Sequence, residues 1–322
     1  MPILVPPGQY SPKRLHHNGR LKLQQFGPIV RENLPGNTNL VYLFDPEDIE
    51  AMYAKEGRYP SRRSHLALQK YRLDRPHMFS TGGILPTNGK HWWELRRRAQ
   101  KSMNKVSAVT SRLPQVDEAS GAYTMAYVLY SLANNQDKQD LLALEARRLL
   151  VGSDGKVTTK VLSEARYLKA VMKETYRLHP ISVGVGRVIQ EDTVIRGFRI
   201  PKDTVVVTQN QVISRLPEHF HDPQRFLPER WLHKAPPAHP FVVVPFGHGP
   251  RSCIGRRMAE QNLQTIMLQV SLPLMNSDLL VSSCLQLISR YRVGWVGGEL
   301  DCLSNLINEP DAPLDFTFTD RE

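Results

Sequence analysis

The chain has 322 residues, of which 41% are apolar and 23% charged; this is a globular composition and excludes wholesale disorder. Lysine and arginine outnumber aspartate and glutamate by 42 to 31, and the resulting net charge of +11 favours an acidic partner. The three cysteines, Cys253, Cys284 and Cys302, form no close pair. A disulfide scaffold and a CxxC zinc site are therefore excluded.

The sequence predicts no transmembrane helix, because Pro273, Asn276 and Asp278 interrupt the longest apolar run. The N-terminus lacks an apolar signal-peptide core, but it is basic and contains no acidic residue before Glu32. This bias is typical of an organelle presequence and equally of a solvated N-terminal tail, which we place at residues 1–24.

Hydrophobic periodicity predicts short strands among longer helices. The long amphipathic helix must stop before His179-Pro180. In chain order the predicted elements are a strand over 39–44, a helix over 47–56, a basic helix over 90–105, an almost wholly apolar and therefore buried helix over 124–134, the amphipathic helix over 159–178, strands over 186–189 and 199–207, an ordered loop over 215–240, a helix from about Arg256 to Leu268, and a final strand over 314–318.

The loop before the last helix carries the clearest chemical signal. A thiolate at Cys253 would be a strong electron donor to a haem iron, and the helix that follows favours a thiolate through its dipole. Arg251 could form a bidentate ion pair with a haem propionate. Glycines allow this backbone to approach a flat ligand closely. They are Gly247, Gly249 and Gly255. The alternative is a buried structural cysteine in a glycine-rich turn.

The spacing FxxGxRxCxG in this loop is similar at every fixed position to the haem-binding loop of the cytochrome P-450 family. The resemblance implies a mostly α (α+β) fold with small sheets in a single domain over 1–322. It also implies haem b as cofactor, with Cys253 as the metal ligand. The cofactor-binding loop would then comprise Phe246, Gly247, His248, Gly249, Arg251 and Gly255.

Glu174 and Arg177 lie one helical turn apart and can pair, although such a spacing most often marks a surface ion pair. They resemble the ExxR motif of the family because the sequence PERW follows at residues 228–231. In that family the second arginine, here Arg230, completes a Glu–Arg–Arg network. The network is structural and fixes the loop that presents the thiolate.

The resemblance implies further cations for the haem propionates. Trp92 and Arg96 fit the WxxxR pattern of the family, and Trp93 and Arg97 fit it as well. The spacing from the preceding Gly-Lys-His favours the first pair. Arg187 matches another position that pairs with a propionate.

A basic surface points to the redox partner. The lysines of the ExxR helix and the arginines after the cysteine loop resemble the mitochondrial class, which receives electrons from an acidic iron–sulfur ferredoxin; the alternative is a solvated basic face. Residues 58–65 and 71–76 look most like arthropod members. The class implies the matrix side of the inner mitochondrial membrane. A peripheral membrane contact is compatible with that location, and we expect no nucleic-acid partner. The docking residues would be Lys169, Lys173, Arg256 and Arg257.

The resemblance fails at two places. The helix that should deliver protons to bound oxygen lacks its acid–threonine segment, and only 28 residues separate Arg96 from Thr124. We therefore expect the helices between helix C and the second half of helix I to be missing, with the gap near 117–124. Ser120 and Thr124 take no catalytic role, and the catalytic residues stay unassigned. Residues 270–286 read as an insertion, or alternatively as a surface loop.

Two hypotheses follow. The first is a monooxygenase that uses O₂ and ferredoxin electrons on an apolar substrate, sterol-like by family analogy alone. The second is a non-catalytic truncated product that holds haem poorly or not at all. A basic nucleic-acid binder has only the net charge in its favour, since no recognition module is present.

Overall fold

The computed structural model describes residues 9–34, 38–103, 118–153, 157–234, 238–268, 288, 291–305 and 307–321. These residues cluster into two compact units. Unit 1 consists of Met1–Val116, Ser182–His219 and His239–Gly255, and unit 2 of Asp117–Ile181, Phe220–Ala238 and Arg256–Glu322. The predicted insertion at 270–286 and position 117 of the predicted gap lie outside the described residues.

Helices predominate in the described chain. In chain order they are α1 Leu15–Phe26, α2 Pro46–Ala54, α3 Leu66–Leu73, α4 Gly89–Met103, α5 Glu118–Ala133, α6 Gln136–Val151, α7 Thr159–Glu164, α8 Arg166–Leu178, α9 Asn210–Ile213 and α10 Arg256–Leu268, with a 3₁₀ turn over Pro228–Trp231. The strands are short. They are β1 Ile29–Leu34, β2 Thr38–Leu43, β3 Gly186–Val188, β4 Thr193–Ile195, β5 Phe198–Ile200, β6 Val205–Thr208, β7 Tyr291–Trp295, β8 Cys302–Ser304, β9 Asn308–Pro310 and β10 Phe316–Asp320.

Unit 1 is built on a four-stranded sheet with the order β1-β2-β6-β3. Strands β1 and β2 pair antiparallel, β2 and β6 parallel, and β6 and β3 antiparallel. The core lies on this sheet and on α2, where Leu43, Ile49 and Val206 are fully buried. The backbone after α8 approaches β6 so closely that a Cβ at Gly184 would lie 1.7 Å from the carbonyl oxygen of Thr208.

Asp45 marks the change from strand β2 to helix α2. Its carboxylate accepts hydrogen bonds from the backbone N–H groups of Glu47 (2.9 Å) and Asp48 (3.4 Å), and Pro46 occupies the first helical turn. This is a strong N-cap, since proline needs no hydrogen-bond partner there. It fixes the start of the helix that carries Tyr53 and leads to Glu56.

Unit 2 is a group of helices flanked by two-stranded sheets. Helix α5 contributes the fully buried Tyr127 and Leu132. The buried Gln139 of α6 donates to the carbonyl oxygens of Leu132 (3.1 Å) and Val293 (3.0 Å) and accepts from the N–H of Val293 (2.9 Å). One buried amide thus ties α5, α6 and β7 together, with its polar groups satisfied.

Most predicted elements are confirmed. The basic helix is α4, the C-terminal helix is α10, and the predicted helix over 47–56 is α2. The apolar helix begins earlier than predicted, at Glu118, so positions 118–124 of the predicted gap lie in α5. Residues 15–24 of the predicted N-terminal tail lie in α1.

Two elements that the sequence predicts as continuous are each split in two in the structure. The strand over 199–207 is split into β5 and β6 by a turn in which Asp203 has φ +65°. The helix over 159–178 is split into α7 and α8 at Ala165, whose ψ of 76° is not helical. The carboxylate of Glu145 accepts from the N–H groups of Tyr167 (2.8 Å) and Leu168 (2.9 Å) and so caps α8 from a neighbouring helix.

Among the described residues, we find no helix whose length and hydropathy would carry it across a membrane.

The cap on α8 can be tested. We expect Glu145→Ala to lower the free energy of unfolding by about 1–2 kcal/mol, because two helix N–H groups lose a charged acceptor. Urea unfolding measures the change. Glu164→Ala, which alters an exposed side chain at the end of α7, is the control. Equal losses in both variants would contradict the capping role.

Candidate functional site

The cysteine loop of unit 1 is a closed turn. The N–H of Cys253 donates to the carbonyl oxygen of Phe246 (2.8 Å), and the N–H of Ser252 donates to that of Gly249 (3.0 Å). Gly247 and Gly249 have φ of +67° and +71°, which is the region that favours glycine. The Cys253 side chain is exposed within this fold. The turn therefore presents a thiol on a backbone that is fixed on both sides.

Arg251 anchors this turn to the segment before α4. Its guanidinium donates to the carbonyl oxygens of Thr87 (2.7 Å), Pro60 (3.1 Å) and Leu85 (3.4 Å) and to the amide oxygen of Asn88. All these acceptors are neutral. Burial, and then the neighbouring guanidinium groups, lower the pKa of Arg251 to about 9.

Helix α4 contributes the predicted pair Trp92 and Arg96, which share one helix face. Trp92 is buried, and its ring centroid lies 4.4 Å from the guanidinium carbon of Arg251. Arg96 donates to the carbonyl oxygen of Ser252 (2.8 Å). The alternative arginine, Arg97, is exposed. The structure thus brings the first of the two WxxxR pairs to the cysteine loop.

Arg187 approaches the same loop from β3. It forms a buried ion pair with Glu56, and it donates to the carbonyl oxygens of Gly186 (3.0 Å) and His248 (3.2 Å). The imidazole of His248 is exposed and packs edge-on against the ring of Tyr53, with centroids 5.3 Å apart. His248 therefore joins the site through its backbone as well as its ring.

Three residues of the site are missing from the sequence prediction. The Nε of Arg62 donates to the carbonyl oxygen of Leu85 (3.0 Å), and its backbone N–H donates to the side-chain oxygen of Asn88 (3.0 Å). Arg62 therefore shares both acceptors with Arg251. Burial first, and then the charges of Arg187 and Arg96, lower the pKa of Arg62. The arginine-rich run at 58–63 is the only sequence signal for Arg62; Asn88 and Glu56 give none.

The charges of this cluster are strongly unbalanced. Four guanidinium groups surround the loop, and one carboxylate, Glu56, faces them. In the part of the chain that the structure describes, only Arg187 of the four has a carboxylate partner. A haem carries two propionate carboxylates, so the donor set fits this group in sign and supplies more than one cation for each carboxylate. The four arginines are Arg62, Arg96, Arg187 and Arg251.

The ExxR motif forms its network within unit 2. Glu174 is fully buried and accepts from the guanidinium groups of Arg177 (2.8 and 2.9 Å) and Arg230 (3.0 Å). It also accepts from the indole N–H of Trp231 (2.9 Å) and the backbone N–H of Leu227 (2.9 Å). Five hydrogen bonds thus compensate one buried carboxylate, as a buried charge requires.

The predicted docking cations also belong to unit 2. Lys173 of α8 is exposed, and its ammonium lies 5.7 Å from the ring centroid of Trp231. Lys169 donates to the carbonyl oxygen of Ser163 (2.8 Å). On α10, Arg256 pairs with Glu260 at 3.2 Å, and Arg257 is exposed. Of the four cations, Lys173, Arg256 and Arg257 are exposed and Lys169 is half-buried.

Helix α5 contains Ser120 and Thr124, the two alcohols that are expected from the sequence to have no catalytic role. Thr124 is buried, and its hydroxyl donates to the carbonyl oxygen of Ser120 (2.8 Å) in the preceding turn. This hydrogen bond within the helix engages the hydroxyl proton.

The sequence of this chain is similar to known proteins over most of its length. The family model Cytochrome P-450 matches residues 2–120 and 119–270, so its two matches meet at 119–120. Cytochrome P-450 302a1, mitochondrial, of Drosophila melanogaster is 29% identical over 455 residues, covering 95% of this chain and 89% of the relative. Because the alignment is longer than the 322-residue chain, the relative contains residues without a counterpart here.

Other relatives are matched over shorter regions. Probable cytochrome P-450 12a5, mitochondrial, of the same fly is 32% identical over 74% of this chain and 44% of its own length. Human 25-hydroxyvitamin D-1 alpha hydroxylase, mitochondrial, is 40% identical over 53% of this chain. The chain spans only 33% of that hydroxylase.

The family model covers most of the chain, and its matches include the cysteine loop, the ExxR helix and the WxxxR helix. The chain therefore belongs to the cytochrome P-450 family of oxidoreductases.

Proposed function

We propose that this protein binds haem b through Cys253 and is by descent a monooxygenase for an apolar substrate. The observation that carries this proposal is the cluster of four guanidinium groups around an exposed cysteine. The haem would supply the O₂ chemistry. The residues of this chain would hold the cofactor: Cys253 by its sulfur, and Trp92, Arg96, Arg187 and Arg251, with Arg62, at its carboxylates.

The second role of the cysteine loop is to tune the sulfur. Hydrogen bonds and cations near a thiolate decide how much electron density it donates to a metal. Arg62 and Arg96 lie close enough to Cys253 to interact with it electrostatically. We infer that these two cations form part of the electrostatic surroundings of the sulfur when it binds the haem iron.

We infer that an acidic iron–sulfur ferredoxin supplies the electrons, docking on Lys169, Lys173, Arg256 and Arg257. The support is the exposure of Lys173 and the position of all four residues on α8 and α10 of one unit. A mitochondrial location at the matrix side of the inner membrane, with peripheral membrane contact, belongs to the same proposal. The mitochondrial location is supported by three relatives whose names describe them as mitochondrial.

We infer further that helices between α4 and α5 are missing from this chain. The support is the meeting of the two family matches at 119–120 and the length of the Drosophila alignment. In the family those helices cover the haem and carry the acid and alcohol that deliver protons. Their loss favours the alternative, a non-catalytic truncated product that holds haem poorly or not at all.

The thiolate ligand is tested by the carbon monoxide difference spectrum of the reduced protein. We expect Cys253→Ser to abolish the thiolate-type Soret shift, because an alcohol does not replace a thiolate on iron. Cys284→Ser and Cys302→Ser are the controls and are expected to keep the shift. A Cys253→Ser protein with the parent spectrum would show that the ligand is wrong.

The docking surface is tested by the affinity for an acidic ferredoxin at two salt concentrations. We expect Lys173→Gln to weaken binding several-fold at low salt and little at high salt, since ions screen exposed charges. Lys160→Gln, an exposed lysine on α7, is the matched control. Equal affinities of Lys173→Gln and the parent at low ionic strength would exclude this surface.

The missing segment is tested by ferredoxin-supported turnover. We expect the 322-residue chain to react about 10²–10⁴-fold more slowly than a version with the absent helices restored, because general-acid assistance is worth that much. The haem content of both proteins is measured in parallel, which separates slow chemistry from cofactor loss. Equal turnover at equal haem content would refute the proposed gap.

A further inference from the structure

Glu56 is a buried carboxylate beneath the cysteine loop, and the function proposed above gives it no role. Its side chain is only 7% exposed. One of its oxygens pairs with Nε of Arg187, whose side chain is 3% exposed. The other, Oε2, is buried and has no hydrogen-bond partner among the described residues.

The unpartnered oxygen lies directly against the loop. A Cβ atom built on Gly249 would lie 2.8 Å from Oε2 of Glu56, which no side chain tolerates without a shift. The same arginine that Glu56 holds also donates to the carbonyl oxygen of His248 (3.2 Å). Glu56 therefore contacts the loop twice, directly at Gly249 and through Arg187 at His248.

The charge of Glu56 depends on its cationic neighbours. Burial raises the pKa of Glu56 above its ordinary value, and the positive charges of Arg187 and Arg251 offset only part of this rise. Glu56 also lies just beyond the C-terminal end of α2, where the helix dipole disfavours a carboxylate. A neutral side chain would be easier to place here, so the negative charge itself calls for an explanation.

We propose that Glu56, a positioning residue that acts through its ion pair with Arg187, sets by its charge the net positive charge that the cluster presents to the cofactor. With Glu56 the four guanidinium groups carry three excess charges; without it they would carry four. The excess decides how strongly the site attracts carboxylates and how readily a bound iron accepts an electron. This inference rests on the proposed function of haem binding.

Two substitutions separate charge from shape. Glu56→Gln keeps the length of the side chain and removes its charge, whereas Glu56→Asp keeps the charge and shortens the side chain. We expect Glu56→Gln to make the midpoint potential of the haem iron more positive, equivalent to a change of about threefold to tenfold in the ferric–ferrous equilibrium. We expect Glu56→Asp to stay close to the parent.

Glu50→Gln is the control, since Glu50 lies on α2, the helix that ends just before Glu56, and its ion-pair partner among the described residues is His239, at 3.3 Å. We expect it to leave the potential unchanged. A purely structural role predicts the opposite order, with Glu56→Asp more disturbed than Glu56→Gln. That order, or a Glu56→Gln potential equal to that of the parent, would overturn the inference.

A second measurement keeps this inference distinct from the proposed function. Metal-free protoporphyrin IX has the two carboxylates of haem but cannot bind a thiolate through iron. By fluorescence titration, we expect Glu56→Gln to bind this probe at least about threefold more tightly than the parent, and Glu56→Asp to match the parent. If the parent binds this probe but gives no thiolate spectrum with haem, only the assignment of Cys253 as the iron ligand is refuted. If the parent binds neither porphyrin, both the proposed haem binding and the proposed role of Glu56 are refuted.

Discussion

The constraint on which unit 1 depends is the burial of several guanidinium groups beside one short loop. Arg251 meets its hydrogen-bond needs with neutral acceptors, three carbonyl oxygens and the amide of Asn88, and not with a carboxylate. Neutral acceptors satisfy the N–H groups but leave the charge uncompensated. The fold thus holds Arg251 rigidly and keeps its positive charge available for an anionic ligand.

The Glu174 network of unit 2 applies the opposite solution to a similar problem. Here one buried carboxylate meets two arginines, an indole N–H and a backbone N–H, so charge and hydrogen bonds are both compensated inside the unit. Such a network leaves the carboxylate with no uncompensated charge for a ligand to bind. The two arginine-rich clusters of the chain therefore differ: one holds the 223–231 segment, and the other keeps an excess of positive charge, which suits the cofactor that we propose for it.

Periodicity predicts most of the regular elements that carry the site, whereas the resemblance to the family's motifs selects the residues on them. Trp92 and Arg96 share a face because they are four residues apart on a helix. Asn88 and Glu56 could not be predicted in this way, because they lie in non-repetitive segments whose partners are far along the chain; the Asn88–Arg251 contact spans 163 residues. The helix break at Ala165 could not be predicted for the same reason, because the side chain that caps the helix after the break is Glu145, which lies on another helix.

The position of the proposed gap determines which functions the chain can keep. Every described contact of Arg251, Arg96 and Arg187 is made by residues of unit 1, so this arginine cluster would not depend on the helices that we propose to be missing. Proton delivery and the exclusion of water would depend on those helices directly. On this proposal, binding the haem propionates and turning over substrate are separate physical properties, which different parts of the fold determine.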